Sequence, residues 1–137
     1  YGRLYNWLTA KSSCPVGWHL PSDDEWEQLA QYISDQFGPY YKSGDAWNNI
    51  GYHLKANSGW DAYFQNSNGS DDYGFSALPS GYYYGSFGDI TRRAYLWSST
   101  QYDENYAMYR YLDDNYDTFI TNRTLIQYGL SVRCIKD

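Results

Sequence analysis

One helix start is marked more strongly than any other local feature of the sequence. Ser22 can accept a hydrogen bond at the N-cap position and Glu25 lies three residues later, so the two can form a capping box. The two aspartates between them favour the positive end of the helix dipole. Apolar residues then recur at helical spacing, at Trp26, Leu29, Ala30, Ile33 and Phe37. Because Gly38-Pro39 stops this pattern, the sequence predicts an amphipathic helix over 22–36.

The rest of the chain reads as one shorter helix and a series of short strands. Asp45 can cap a helix over 45–54, whose apolar stripe is Trp47, Ile50 and Leu54. The segment 57–74 is rich in Asn, Ser, Gly and Asp and predicts a loop. Strand patterns lie at 1–10, 75–78, 95–99, 106–112, 116–120 and 130–135, with a hairpin turn at 113–115. Helices first and short antiparallel strands later predict an α+β fold, in a single domain over 1–137.

Composition excludes three broad classes of protein. The aromatic fraction of 21 % is too high for a disordered chain. The net charge of −6 argues against nucleic acid as a partner, because nucleic-acid binding needs a basic surface. No apolar run approaches the ~20 residues that span a bilayer, so we expect no direct membrane insertion of this chain.

Tyrosine accounts for 18 of the 137 residues, and nine of these lie between Tyr82 and Tyr116. Rigid rings with a hydroxyl, mixed with small polar residues, are typical of recognition surfaces because few torsions are frozen on binding. Three adjacent rings, Tyr82 to Tyr84, cannot all face one core from a strand. The sequence therefore predicts a binding face, with these ligand-binding candidates: Tyr82, Tyr83, Tyr84, Tyr102, Asn105, Tyr106, Tyr109, Tyr111, Asp113, Asn115 and Tyr116.

Alternation along the strand before the hairpin turn indicates which of these rings are exposed. Met108, Arg110 and Leu112 share one face, and Tyr109 and Tyr111 share the other. Met108 and Leu112 favour burial of the first face. We therefore expect Tyr109 and Tyr111 to be exposed, provided that a carboxylate pairs with Arg110.

The two cysteines, Cys14 and Cys134, lie near opposite ends of the chain. They fit either two buried thiols or, as we favour, a disulfide that ties the termini together. Such a bond would close a very long loop, which chain-entropy models value at roughly 5 kcal/mol. It would also indicate an oxidising compartment.

No metal, cofactor or catalytic group is predicted. His19 and His53 lack a second His or Cys at metal-ligand spacing, and a hydrogen-bonded structural role is favoured for His19. Trp60, in a polar loop, is the one tryptophan that we consider for stacking on a sugar ring. Asp71 and Asp72 are interpreted either as solvated loop acids or as part of a calcium site, with further oxygen donors at Asn66, Asn68 and Ser70.

Five stretches together carry a family pattern: YGRLYNW at 1–7, CPVGWHLPSDDEW at 14–26, YGFSALP at 73–79, LWSST at 96–100 and GLSVRCIKD at 129–137. In this order they resemble the Fibrobacter succinogenes major paralogous domain family over nearly the whole chain. The resemblance implies a C-type lectin-like fold, with two helices, short antiparallel strands, and N- and C-terminal strands that pair. It also implies secreted or surface lipoproteins of Bacteroidetes and Fibrobacteres, and it agrees with a bond between Cys14 and Cys134.

A narrower resemblance is to the variable proteins of diversity-generating retroelements, which use the same fold. Adenine-directed mutagenesis in those proteins favours Asn, Tyr, Asp and Ser at exposed positions near the C-terminus. The segments 101–106 and 113–117 have this composition. The resemblance therefore implies that the tyrosine-rich segment is one that varies between copies of the gene.

We therefore expect an extracellular or cell-surface binding module whose partner is a carbohydrate or a cell-surface protein. One alternative is a hydrolase or modifying enzyme on a scaffold like that of formylglycine-generating enzyme. Formylglycine-generating activity itself would need a reactive cysteine pair, whereas both cysteines here lie in terminal motifs. A purely structural domain of a surface lipoprotein is the other alternative.

Overall fold

The computed structural model describes residues 1–61 and 67–137, which form short helices and mainly antiparallel sheets. The helices are α1 (Trp7–Ala10), α2 (Asp23–Phe37) and α3 (Ile50–Leu54). The strands are β1 (Trp18–His19), β2 (Lys42–Ser43), β3 (Ala46–Trp47), β4 (Tyr82–Tyr83), β5 (Phe87–Gly88), β6 (Arg93–Gln101), β7 (Tyr106–Asp113), β8 (Phe119–Leu125) and β9 (Ile135–Lys136). The predicted mixture of helices and antiparallel strands is confirmed. None of the helices in these two ranges is long and apolar enough to cross a membrane.

The helix predicted after Ser22 is confirmed by α2. The Ser22 hydroxyl accepts a hydrogen bond from the backbone N–H of Glu25 at 3.2 Å, and the Ser22 N–H donates to Glu25 Oε1 at 3.1 Å. This capping box satisfies two N–H groups that would otherwise lack partners at the helix start. The helix buries one stripe, which includes Trp26, Ala30 and Ile33.

A five-stranded antiparallel sheet has the strand order β2-β3-β8-β7-β6. Residues that lie directly opposite one another share a face, and successive residues alternate between faces. Tyr95 of β6 lies opposite Tyr111 of β7, whereas Leu96 lies opposite Arg110. The side that carries Leu96 and Arg110 is named the helix side, and the side that carries Tyr95 and Tyr111 is named the tyrosine side.

The helix side packs against α2 and α3 and forms the larger core. Trp26 meets Phe119 edge to face, with ring centroids 5.9 Å apart. Arg110 is only 3 % exposed, and its Nη1 donates to Glu27 Oε2 on α2 at 3.2 Å. A carboxylate therefore compensates the buried guanidinium. The buried members of this core include Ala30, Ile33, Ile50, Leu54, Leu96 and Leu112.

The two ends of the chain meet on the tyrosine side. Tyr5 and Leu130 exchange two backbone hydrogen bonds, at 2.8 and 3.0 Å, and β1 pairs with β9. Cys14 and Cys134 form a disulfide with their Cα atoms 5.8 Å apart. A second core lies beneath these contacts, where Trp7, Ala10, Leu20, Trp97, Ala107 and Leu130 are buried.

The predicted opening strand over 1–10 is wrong apart from the bridge at Tyr5. Asn6 Oδ1 accepts a hydrogen bond from the Thr9 N–H at 2.9 Å and caps the helical turn α1. This side-chain bond offers the backbone a helical alternative to strand pairing. Trp7 is consequently buried from a helix rather than from a strand.

The predicted helix over 45–54 begins only at Ile50. Asp45 does not cap it, because the preceding Ala46–Trp47 forms β3 and pairs with β8. Asn49 adopts a left-handed conformation, with φ of 63°, at the junction between strand and helix. The apolar stripe is therefore buried as predicted, but a strand and a helix share it.

Of the later strands, β6 to β8 differ from prediction in their bounds, whereas the strand predicted at 130–135 is reduced to bridges at Leu130 and Ser131 and to Ile135 in β9. β6 and β7 contain the strands predicted at 95–99 and 106–112. The strand predicted at 116–120 lies further along the chain, as β8. The strand predicted at 75–78 is a single bridge between Ala77 and Lys55.

Candidate functional site

A small hairpin of β4 and β5 lies over the tyrosine side. Tyr82 lies opposite Gly88, and Tyr83 lies opposite Phe87. A Cβ atom on Gly88 would lie 2.4 Å from Cζ of Tyr82, so the close approach of this ring requires glycine. Backbone hydrogen bonds between Tyr83 and Gly129, at 2.9 and 2.7 Å, fix the hairpin to the C-terminal segment. This arrangement positions Tyr82 against the sheet.

Five tyrosine rings form a connected cluster on this side. The ring centroid of Tyr95 lies 5.8 Å from that of Tyr82. It also lies 5.5 Å from Tyr109 and 5.8 Å from Tyr111. Tyr128 extends the cluster, 5.6 Å from Tyr82. The rings come from four separate parts of the chain, namely β4, β6, β7 and the connection after β8, so the cluster exists only in the folded state.

Four of these rings, Tyr82, Tyr95, Tyr109 and Tyr128, line a cavity of about 300 Å³, which is large enough for a small ligand. Apolar ring faces form much of its wall, and hydroxyl and carboxylate groups provide hydrogen-bonding positions. We name this cavity the tyrosine cleft, and its lining residues are Tyr82, Asp89, Tyr95, Tyr109, Thr124, Tyr128 and Leu130.

Asp89 and Arg93 place opposite charges beside the cleft. The Tyr95 hydroxyl donates to Asp89 Oδ2 at 2.6 Å. Arg93 Nε donates to Asp113 Oδ2 at 2.7 Å, and its Nη1 lies 3.4 Å from Asp89 Oδ2. Because the Arg93 side chain is 39 % exposed, its guanidinium remains accessible to a ligand.

Burial raises the pKa values of the two inner tyrosines. The pKa of Tyr109 rises to about 12, through burial and then through the neighbouring Tyr111. The pKa of Tyr95 rises well above its usual range, through burial and its hydrogen bond to Asp89. Both hydroxyls therefore stay protonated at neutral pH and act as hydrogen-bonding groups rather than as acids or bases.

Tyr109 and Tyr111 are half-buried rather than exposed, so the prediction of exposed rings is wrong for both. The inference about the opposite face holds for Arg110 and Leu112, which are buried, whereas Met108 is half-buried. The sheet pattern alone did not reveal that rings from elsewhere in the chain pack over the tyrosine side. Tyr109 contributes to the cleft wall, and Tyr111 lies beside it.

The hairpin carries the most exposed aromatic residues near the cleft. Tyr84 is 50 % exposed and stacks on Tyr128, with centroids 4.3 Å apart and planes 4° from parallel. Tyr83 contacts the exposed ring of Phe87 at 5.0 Å. Of the three adjacent tyrosines, Tyr82 therefore lies in the cleft, and Tyr83 and Tyr84 are exposed beside it.

Three other candidates lie at the far end of β7. Tyr102, Asn105 and Tyr106 belong to the β6–β7 turn, where Asp103 Oδ1 accepts hydrogen bonds from the Asn105 and Tyr106 N–H groups. Arg123 lies over the Tyr102 ring at 4.1 Å. β7 is about 24 Å long at the usual rise per residue. The β6–β7 turn precedes β7 and the β7–β8 turn follows it. Candidates in the two turns are therefore too far apart to form one compact site.

The β7–β8 turn, which carries Asp113, Asn115 and Tyr116, is held from inside by Lys55. The Lys55 ammonium is buried and donates to the carbonyl oxygens of Asp113 and Tyr116, at 3.2 Å each. It also lies 3.1 Å from Asp117 Oδ1. Three oxygen acceptors match the three donors of an ammonium and compensate its burial. The turn is thus ordered while Tyr116 is 66 % exposed.

The structure contradicts a sugar-stacking role for Trp60. This side chain is 4 % exposed, and its Nε1 donates to the carbonyl oxygen of Ala77 at 3.0 Å. The loop that looked polar therefore places its tryptophan in the main core. The burial of Trp60 is favourable because the distant Ala77 carbonyl oxygen accepts the hydrogen bond of its indole N–H. The local composition of the loop could not reveal this partner.

The loop acids considered for calcium bind protein groups. Asp72 Oδ2 lies 2.6 Å from His53 Nδ1 and accepts a hydrogen bond from Ser70. Asp71 accepts from Ser76 N and Oγ, at 2.6 and 2.5 Å. Asn66 lies outside the described residues. Within 1–61 and 67–137, no group of three or more His, Cys, Asp or Glu could hold a metal ion.

His19 bridges two carboxylates near the chain ends. Its Nδ1 lies 2.6 Å from Asp137 Oδ1, and its Nε2 lies 2.8 Å from Glu25 Oε2. These hydrogen bonds raise the pKa of His19 above its ordinary value, with Asp137 contributing most. The histidine therefore joins the start of α2 to the C-terminal segment, which is the structural role favoured for it.

Sequence reasoning missed five of the seven lining residues, namely Asp89, Tyr95, Thr124, Tyr128 and Leu130, and it also missed Arg93 beside the cleft. Strand alternation could have found two of them, because Arg93 and Tyr95 share a face of β6 and lie opposite Asp113 and Tyr111. Asp89 and Tyr128 lie in connections, where no periodic pattern indicates direction.

Over residues 1–136 the chain matches the model of a family described as the Fibrobacter succinogenes major domain. Comparison with curated proteins and with solved structures gave no match.

Proposed function

The chain belongs to the Fibrobacter succinogenes major domain family, and we propose that it is a recognition module that binds a carbohydrate in the tyrosine cleft. The observation that carries this proposal is the combination of ring faces and polar groups around one cavity. Flat apolar sugar faces pack on aromatic rings, and carboxylate, guanidinium and hydroxyl groups bond sugar hydroxyls. Tyr82, Tyr109 and Tyr128 would provide the rings, with Asp89 and Arg93 as polar partners.

We propose binding without catalysis for this site. The inner tyrosine hydroxyls stay protonated at neutral pH, so they favour hydrogen bonding over proton transfer. The hydrolase and modifying-enzyme alternative would need a group in the cleft that exchanges protons during turnover. Turnover of a bound sugar, detected as a change in its mass, would support that alternative instead.

An extracellular or cell-surface location and a C-type lectin-like fold complete the proposal. The disulfide joins residues 120 positions apart, and such bonds persist in oxidising compartments. Paired chain ends and a small hairpin beside a larger sheet support the fold assignment. A purely structural lipoprotein domain would share these features but would bind no ligand.

A glycan array probed with the folded chain would test the binding proposal, followed by calorimetry on the strongest hit. In the variant Tyr128→Ala one wall of the cleft is lost, and we expect affinity to fall at least about tenfold. Tyr41→Ala is the matched control, because Tyr41 is 75 % exposed and does not line the cleft. Equal affinity in both variants would place the sugar elsewhere.

A cell-surface protein is the second candidate partner, favoured by the exposed rings of Tyr83, Tyr84 and Phe87. Protein binding that survives Tyr128→Ala but is lost in Tyr83→Ala would favour this partner over a sugar.

We also propose that the chain is a variable protein of a diversity-generating retroelement. Differences between genomic copies confined to 82–118 would support this idea, and evenly spread differences would contradict it.

A further inference from the structure

A second cavity, of about 450 Å³, lies apart from the tyrosine cleft and shares no lining residue with it. Residues within 1–5, 76–80 and 131–133 form most of its wall, together with Leu96 of β6. The three ranges contribute Arg3, Tyr5, Ser76, Ser80, Ser131 and Arg133. No Asp or Glu is among the described lining residues, although the whole chain has a net charge of −6. We name this cavity the arginine pocket.

The Arg133 guanidinium is half-buried and has no carboxylate within ion-pair distance among the described residues. It lies over the Phe75 ring at 4.5 Å, and Nη2 donates to the carbonyl oxygen of Phe75. Its Nε and Nη1 groups donate to no residue in the described ranges. Burial lowers the pKa of Arg133, so its charge lacks full compensation.

Asp71 is the carboxylate that acts on Arg133 from a distance, and it is already engaged. Both of its oxygens accept hydrogen bonds from Ser76, at 2.6 and 2.5 Å. Asp71 is therefore held by its own turn, and the Arg133 guanidinium keeps donors for another acceptor.

Two further features favour an anion. Ser80 and Ser131 join their hydroxyls at 2.6 Å on the pocket wall, and either hydroxyl can also accept or donate to a ligand. Arg3 is exposed and makes no ion pair with the described residues. A second positive charge therefore lies in the wall of the same pocket.

We propose that the arginine pocket binds an oxyanion group of a small ligand, namely a carboxylate, sulfate or phosphate. Because Nη2 carries two hydrogens and donates one to Phe75, the planar guanidinium of Arg133 keeps one edge with two parallel N–H donors, which match two oxygens of such a group. Arg3 adds attraction, and Ser80 or Ser131 completes the hydrogen bonds. This site is independent of the tyrosine cleft and of the function proposed for it.

The test is a titration of the isotope-labelled chain, followed by NMR, with sodium glucuronate, sulfate and phosphate in separate arms. Sodium chloride at matched ionic strength is the reference. We expect saturable shifts of the Arg133 side-chain N–H and the Ser80 and Ser131 amides in at least one arm. The arm with the highest affinity identifies the oxyanion class. Shifts that do not saturate, or that chloride reproduces, would overturn the proposal.

Variants separate a fork-shaped contact from general charge attraction. Arg133→Lys keeps the charge and loses the fork, and we expect affinity to fall at least about tenfold. Arg123→Gln is the control, because Arg123 is exposed over Tyr102 and lies outside the pocket. Equal losses in these two variants would show general charge attraction and contradict the proposal.

Because Arg133 also contacts Phe75, Arg133→Lys could fail to fold. Ser80→Ala and Arg3→Gln then test the proposal without Arg133→Lys, because neither change removes a contact with Phe75. We expect each to lower affinity by about two- to fivefold. Unchanged affinity in both variants would overturn the proposal even when Arg133→Lys cannot be measured.

Discussion

The two sides of the five-stranded sheet are built from the same strands and differ in how they are covered. On the helix side, Leu96, Leu112 and Phe119 are at most 5 % exposed and pack against α2 and α3. On the tyrosine side, Trp97 and Ala107 are buried in the second core, but Tyr109 and Tyr111 are only half-buried and lie at or beside a cleft. Strand alternation thus lets one sheet provide a sealed core and an accessible surface at once.

The polar groups follow the same division. Arg110 on the helix side is enclosed and paired with Glu27. Arg93 on the tyrosine side joins Asp89 and Asp113 but keeps 39 % of its side chain exposed. The enclosed charge of Arg110 serves stability alone, whereas the partly exposed charge of Arg93 is also available to a ligand.

The largest expected contrast between the two sides is in stability. Phe119→Ala removes a fully buried ring that contacts Trp26, and we expect the free energy of unfolding to fall by about 3–5 kcal/mol. Tyr111→Ala is the matched change on the other side, and we expect a loss below about 2 kcal/mol because this ring is half-buried. Urea unfolding measures both, and equal losses would break the comparison.

A smaller contrast lies within the tyrosine side itself. Tyr95→Phe removes the hydroxyl that donates to Asp89, and we expect a loss of about 1.5–3 kcal/mol. Tyr111→Phe should change stability by no more than about 0.5 kcal/mol, because no hydrogen bond of its hydroxyl to the described residues is seen. If both variants were equally stable, the hydrogen bond between Tyr95 and Asp89 would not contribute to the stability of the cleft.

The smallest expected effect concerns alkaline pH. The pKa of Tyr109 is about 12 in the folded chain, above the ordinary value of 10. The folded state therefore keeps this proton where the unfolded chain loses it, and stability should fall as pH rises from 10 to 12. Ultraviolet titration of phenolate formation should show a component near pH 12 that is missing in Tyr109→Phe. If the component missing in Tyr109→Phe lies near pH 10 instead, the Tyr109 hydroxyl is open to water.

Local patterns in the sequence were sufficient for the elements that depend on local chemistry. The capping box between Ser22 and Glu25 predicted the start of α2, because both hydrogen bonds lie within four residues. Alternation predicted β7 and the buried face of Leu112 for a similar reason. With Cys14 and Cys134 as the two cysteines, only one intramolecular pairing exists.

Features that depend on distant partners could not be predicted in this way. Ala46–Trp47 is a strand because β8 lies beside it, more than 70 residues later in the chain. Trp60 is buried because Ala77 supplies an acceptor. Tyr128 covers part of the tyrosine side from a connection, without any periodic pattern. Residue spacing contains no information on such contacts, so the cleft emerged only from the folded chain.

The disulfide between Cys14 and Cys134 has a mechanical consequence. Tension applied to the two ends of this chain would pass through the disulfide, because this bond links the two terminal segments covalently. The enclosed segment 15–133 contains the whole five-stranded sheet and the tyrosine cleft. Load would therefore bypass the backbone between the two cysteines and act first on the contacts of the terminal segments, such as the two hydrogen bonds between Tyr5 and Leu130.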